Sequence, residues 1–159
     1  MLRIRFAENS DKKNWDEFVL LQEASGPYQL YAWKEATENA YHHKSFYLMA
    51  EDDKGIIQGV LPLTYIKAPF LKGILTSLPF CDYGGVLTND EETKQRLITE
   101  AINLSISMKA PLEIRCCIED FHLQTNGHFG ERSYKTRMIL QLPESSEALW
   151  HQFKTKMRT

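Results

Sequence analysis

Apolar and charged residues alternate from Leu2 to Phe6 in LRIRFA, the period of a half-buried strand. NSDKKNWDEFVLLQEA follows, with Asn9 or Ser10 as cap and Trp15, Phe18, Val19 and Gln22 at helical spacing. Ser25-Gly26-Pro27 ends that helix, and Leu30, Trp33, Ala36, Thr37 and Ala40 mark one face of a second. KSFYLMAEDDKGIIQGVLPLTYIK reads as a hairpin: a strand over about Ser45 to Ala50, a turn at EDDKG, and a longer strand from Ile56 to about Ile66. Gly59 and Pro62 within that strand predict a bulge or an exposed edge. FLKGILTSL predicts another strand. From Asp90 the period becomes helical, with Leu97, Ile98, Ala101, Ile102, Leu104, Ser105 and Met108 on one stripe. PLEIRCCI and TRMILQLP return to strands, separated by a loop-rich segment. ESSEALWHQFKTKMR then predicts a capped amphipathic helix carrying Leu149, Trp150, Phe153 and Met157.

The resulting order, β-α-α-β-β-β-α-β-β-α, describes an α/β (α+β) sandwich with a mixed, mainly antiparallel sheet flanked by helices. The 159 residues fit a single domain, 1–159, long enough to bury a core. A formal net charge of −2 argues against DNA as a partner. No apolar run approaches a membrane span, and the N-terminus lacks the apolar core of a signal peptide. Three cysteines, Cys81, Cys116 and Cys117, fit a reducing cytoplasm better than a disulfide framework.

The conspicuous interruption is LTSLPFCDYGGVLTND, where Asp82-Tyr83-Gly84-Gly85 separates two apolar segments. Two glycines permit positive φ and close backbone approach, either in a tight turn or against a ligand. Arg115 within LEIRC needs a carboxylate or an anionic substrate group; Glu113 and Asp120 are the internal candidates. Trp33 reads as core, while Lys34 near the start of the second helix can meet an anion there. Metal binding is not expected: Cys116 and Cys117 point to opposite faces of a strand, and no C-x-x-C spacing joins them to His122 or His128. Cys81 reads as an inert buried thiol. No G-x-x-x-x-G-K-[ST] or G-x-G-x-x-G phosphate loop is present.

In order, PYQLYAWKEATENAYHH, GIIQGVLPLTYIK, LTSLPFCDYGGVLTND, LEIRC and TRMILQLPESSEALWHQFKTKMR resemble the N-terminal half of FemAB-like proteins. The resemblance is nearest to those associated with exopolysaccharide and protein-sorting systems. It implies the first of two tandem GNAT-like domains in an acyl- or aminoacyltransferase of cell-envelope metabolism. The donor, aminoacyl-tRNA or acyl-coenzyme A, would then be held by the second domain, which lies outside this sequence. That accords with the absence here of the [RQ]-x-x-G-x-[GA] loop by which GNAT acetyltransferases hold coenzyme A, so no cofactor is expected on this chain. Under this resemblance Asp82 and Tyr83 are the candidate catalytic residues. Trp33, Lys34, Gly84, Gly85 and Arg115 are candidate binding residues for a small-molecule or peptide acceptor. The other reading is a degenerate GNAT-like interaction module, with Trp150 and Phe153 of the last helix joining a homodimer.

Overall fold

The computed structural model describes residues 2–67, 72–115, 130, 140–154 and 156. The chain divides into two compact units, Met1–His128 and Phe129–Thr159.

In the first unit, two sheets of four strands share the work. One has the order β1 (Arg3–Phe6), β3 (Leu48–Glu51), β4 (Ile57–Leu61), β7 (Leu87–Thr88). The other has β2 (Lys44–Ser45), β5 (Leu63–Ile66), β6 (Ile74–Ser77), β8 (Leu112–Glu113). All pairings are antiparallel except β6 with β8, so the mixed, mainly antiparallel sandwich is as expected. Helix α1 (Lys12–Leu20) and α2 (Tyr31–Tyr41) precede the hairpin; α3 (Glu91–Met108) follows β7.

The single long strand expected from Ile56 to Ile66 is two strands in different sheets. Pro62 has no N–H to continue the ladder, so β4 ends at Leu61 opposite Leu48 and β5 starts at Leu63 opposite Ser77. The same switch splits the preceding strand at Phe46-Tyr47, where the Phe46 amide donates to the Leu63 carbonyl at 2.7 Å. Gly59 lies not at an exposed edge, since β4 is paired on both sides, but beside the expected bulge, where the register slips from Ala50–Gly59 to Glu51–Ile57. A Cβ there would lie 2.8 Å from the Thr93 methyl and 3.0 Å from Leu97, so glycine lets α3 lie close on the sheet. The EDDKG turn is as predicted: Asp52 accepts from the Lys54 and Ile56 amides at 2.9 Å, and Gly55 takes φ +77°.

Because β3 is covered on both faces, its residues alternate between two cores. Tyr47 and Met49 join Trp15, Val19, Tyr31, Val60 and Leu87 beneath α1 and α2. Leu48 and Ala50 join Leu61, Leu63, Leu75, Leu97 and Ala101 beneath α3. Trp15, Tyr31 and Tyr47 touch pairwise with centroids 4.9–6.2 Å apart, each pair adding about 1 kcal/mol beyond its area burial. The α2 face departs from expectation: Ala36 and Ala40 are exposed, whereas Tyr31 is fully buried and Lys34 largely so. A tyrosine and a lysine stem have more apolar surface to hide than an alanine.

In the second unit, α4 (Ser146–Gln152) begins where its cap predicts, the Ser145 hydroxyl accepting from the Ala148 amide at 3.1 Å. It is shorter than the expected helix, ending before Phe153, and none of its residues is buried. Thr136 to Ile139 of the expected TRMILQLP strand, most of the preceding loop and Cys116, Cys117, His122, His128 and Met157 lie outside the described residues, and Leu140 to Pro143 form no strand.

Candidate functional site

The connection between β6 and β7, Leu78 to Val86, carries the backbone strain of this region. Leu78 takes φ +42° and Phe80 +68°, conformations that cost a non-glycine residue about 1–3 kcal/mol each. Neither Gly84 nor Gly85 has positive φ, so the conformational freedom expected of the pair is used elsewhere in the loop by bulky residues. Gly84 is required for a different reason: a Cβ there would sit 2.4–2.6 Å from the Leu78 side chain.

Three contacts hold the loop in place. The Gly84 amide donates to the Arg115 carbonyl at 3.0 Å. Arg115 Nη1 donates to the Cys81 carbonyl at 2.6 Å, and its Nε pairs with Glu113 at 2.7 Å. The Arg115 amide in turn donates to Ser77 Oγ at 2.8 Å. Gln29, buried under the loop, reaches toward the Gly85 carbonyl at 3.5 Å. Arg115 therefore makes the internal ion pair with Glu113 and fastens the loop from the end of β8. This clamp leaves Asp82 exposed and Tyr83 half-buried, side by side. Burial pushes the Cys81 thiol above its usual range, partly offset by the Arg115 charge, as suits an inert thiol rather than a nucleophile.

A second group of residues lies along the seam between α2 and the β2–β3 connection. Tyr41 faces His43 with centroids 5.7 Å apart, Glu38 accepts from the Ser45 amide at 3.2 Å, and Tyr31 meets Tyr47 at 5.9 Å. Phe80 closes one end, 4.7 Å from the Tyr41 ring and 6.3 Å from His43. Lys34 pairs with Glu38 at 3.0 Å and lies 5.2 Å above the Tyr31 ring. The Trp33 indole packs on Tyr28. Among the described residues, Trp33 Nε1, Ser45 Oγ and the Tyr47 hydroxyl are buried without a hydrogen-bond partner. Burial, with the nearby Glu38 charge, raises the Tyr47 hydroxyl far above its ordinary value and keeps it protonated.

The structure thus places Asp82, Tyr83, Gly84 and Gly85 in one loop that Arg115 clamps, and Trp33 and Lys34 on α2. Lys34 is engaged by Glu38 and lies one turn into the helix; the amide of Tyr31 at the helix start is taken by Asp16 at 2.7 Å. Sequence reasoning did not bring Tyr41, His43, Ser45, Tyr47 and Phe80 together. A signal existed for three of them, since His43, Ser45 and Tyr47 recur at the two-residue period of a single strand face.

No protein-family model matches the sequence, and no curated protein matches it. Solved structures do. An acetyltransferase of Trypanosoma brucei superposes with TM-score 0.60 at 16% identity, over 89% of this chain and 100% of that one. Glucosamine-6-phosphate N-acetyltransferase from Arabidopsis thaliana gives 0.61 at 13%, over 89% and 99%. FemX gives 0.53 at 20%, over 68% of this chain and 25% of FemX. The chain has a GNAT-like α+β fold.

Proposed function

We propose that this chain is the acceptor-side domain of an acyl- or aminoacyltransferase of the FemAB kind, acting in cell-envelope or exopolysaccharide metabolism, with the donor held outside it. The observation that carries the proposal is the strained Leu78–Gly85 loop, clamped by Arg115 so that Asp82 stands exposed beside Tyr83. Leu78, Pro79, Cys81, Gly84 and Gly85 are buried and anchor the loop, while its strained backbone leaves Phe80 and Asp82 exposed at the surface.

A coenzyme A donor does not fit the described residues of this domain. Its pyrophosphate needs amide groups and positive potential, such as a helix N-terminus offers. The start of α3, which follows β7 directly, is instead occupied by carboxylates. Asp90 accepts from the Thr93 amide at 2.7 Å and hydroxyl at 2.6 Å, and Glu91 and Glu92 fill the first turn. A second GNAT-like domain would carry the donor.

In the transfer, an amine or hydroxyl of the acceptor bonds to the donor's acyl carbon while its proton passes to Asp82. The bond from that carbon to the donor's ester oxygen or thioester sulfur breaks, and Tyr83 orients the acceptor. Transfer of a labelled acyl group by the protein as its native source makes it, supplied with aminoacyl-tRNA or acyl-coenzyme A, tests this. Asp82→Asn should slow transfer about 100-fold or more. An Asp82→Asn protein as fast as the parent would sink the assignment.

A further inference from the structure

Chain direction brings Lys44, Lys67, Lys72 and Lys109 to one end of the second sheet. Lys44 opens β2 and stands opposite Tyr65, near the end of β5. Lys67 follows the last residue of β5, and Lys72 precedes β6, whose first residue, Ile74, pairs with Ile66. β8 runs parallel to β6 and so starts at this same end, with Lys109, the C-cap of α3, just before it. All of these lysines are exposed. Lys12, Lys13, Lys34 and Lys94 each pair with a glutamate, whereas those at this end have no carboxylate partner among the described residues. Lys44 Nζ lies over the Phe46 ring instead, 5.0 Å from its centroid. The segments that build this end explain the difference. Neither Asp nor Glu occurs from Asn39 to Ala50, from Lys54 to Cys81 or from Ala101 to Leu112. Glu38 and Glu113, the nearest carboxylates along the chain to Lys44 and Lys109, are engaged by Lys34 and Arg115.

We propose that this end of the sheet is a docking face for an anionic lipid surface. The proposal goes beyond the transferase reading and does not rest on it. Strands spaced about 4.8 Å apart spread the lysines over about 15 Å, a broad front rather than a pocket for one anion. A chain of net charge −2 that gathers four uncompensated lysines there turns this end toward a negative surface. A lysine ammonium is a hydrated point charge, suited to a field of headgroups. A nucleic acid backbone is better met by the guanidinium fork of arginine along a groove, and each cation of this front is a lysine. Ile106, in the last turn of α3, accepts from the Lys109 amide at 3.1 Å through its carbonyl and stays 69% exposed. Its side chain supplies the apolar contact that enters the acyl boundary beside the charges. No helix of the described residues is long and apolar enough to cross a membrane, so the contact is with the surface.

Co-sedimentation of the whole chain with lipid vesicles tests this without any transfer assay. Vesicles of phosphatidylcholine with about one third phosphatidylserine should bind the protein, and vesicles of phosphatidylcholine alone should not. Raising the salt from about 0.05 M to about 0.5 M should abolish the binding, because exposed charges are then screened. Each lysine near such a surface contributes about fivefold in affinity, so Lys67→Gln with Lys72→Gln should weaken binding about 25-fold. Ile106→Ser should weaken it about fivefold. Lys13→Gln with Lys54→Gln makes the same change in net charge elsewhere, Lys54 lying in the β3–β4 turn, and should leave binding within about twofold. The substituted side chains are exposed, and thermal melting establishes that each variant is folded. Equal losses in the two double variants would show an effect of net charge alone and overturn the proposal. So would binding to neither vesicle, equal binding to both, or a preference for single-stranded RNA over the phosphatidylserine vesicles.

Discussion

Two polar clusters are built into the first unit, and they are finished to different degrees. Around Arg5, every charge has its partner. The guanidinium donates to Asp11 at 2.6 and 2.7 Å and to Glu51 at 2.6 and 2.9 Å, and the Glu8 amide completes Asp11 at 2.8 Å. Those contacts tie β1 and β3 to the turn that leads into α1. On α2, β2 and the β2–β3 connection, by contrast, Trp33 Nε1, Ser45 Oγ and the Tyr47 hydroxyl are buried with no hydrogen-bond partner among the described residues, and the Leu78–Val86 loop is strained. A satisfied network is what a structural role requires, since a buried group left unpaired costs about 1–3 kcal/mol. An unfinished one beside a strained loop is where a ligand would complete the hydrogen bonding.

The largest effect should follow from breaking the finished cluster. Arg5→Met leaves Asp11 and Glu51, each with a side chain 12% exposed, facing one another without the cation. Urea unfolding should show a loss of about 2–4 kcal/mol, below the cost at a fully buried pair because Arg5 itself remains partly exposed. A loss under about 0.5 kcal/mol would mean that the network only decorates the surface.

Its pH dependence follows with a definite sign. Hydrogen bonding from Arg5, helped by the Glu8 amide, holds the Asp11 carboxyl below its ordinary value of 3.8. The folded state therefore binds that proton less readily than the unfolded one. The associated stability is complete above pH 3.8 and is lost as pH falls through the folded value. The parent should lose stability on acidification in that window, and Arg5→Met should show a shallower loss there. Parallel acid limbs in the two proteins would count against this linkage.

A smaller but local effect is expected at Gly84. In Gly84→Ala the new methyl meets Leu78 at its Cβ and Cγ, atoms too near the backbone to swing aside, so the loop must shift. The expected cost is about 1–3 kcal/mol, with any acceptor affinity reduced alongside it. Retention of full stability and of the Arg115–Cys81 contact in a crystal structure of the variant would show that the loop is slack rather than clamped.

What could be read from the sequence divides along the same lines. Helix α3 was legible because its apolar stripe repeats over eighteen residues. The β3–β4 turn was legible because Asp52 and Gly55 are residues that turn chemistry demands. The transfer of the chain between sheets at Pro62 was not, since a proline only forbids a ladder bond and does not say which strand comes next. The α2 face misled because a two-letter pattern counts Ala36 as apolar and Lys34 as polar, whereas burial follows the area each can hide. In the loop after β6, Gly84-Gly85 drew attention through a positive φ that neither glycine adopts. The loop's strain lies at Leu78 and Phe80, residue types that give no sign of positive φ, and its clamp comes from Arg115, distant in sequence. Glu113 as the Arg115 partner was foreseeable because the two are close along the strand.

The smallest effect is the most telling for the contrast between the clusters. Tyr47→Phe deletes one oxygen from a side chain that is 1% exposed and leaves its ring contacts with Trp15 and Tyr31 in place. Were the hydroxyl part of a finished network, its loss would cost about 1 kcal/mol or more, as for any satisfied buried hydrogen bond. Because it has no protein partner, the variant should be as stable as the parent or more stable by up to about 1 kcal/mol, measured by urea unfolding. A protein that keeps a hydroxyl at a net cost to its own stability keeps it for something other than folding. A clear destabilisation would show that the Tyr47 oxygen is bonded in solution, and the seam would then be a structural cluster of the same kind as the one around Arg5.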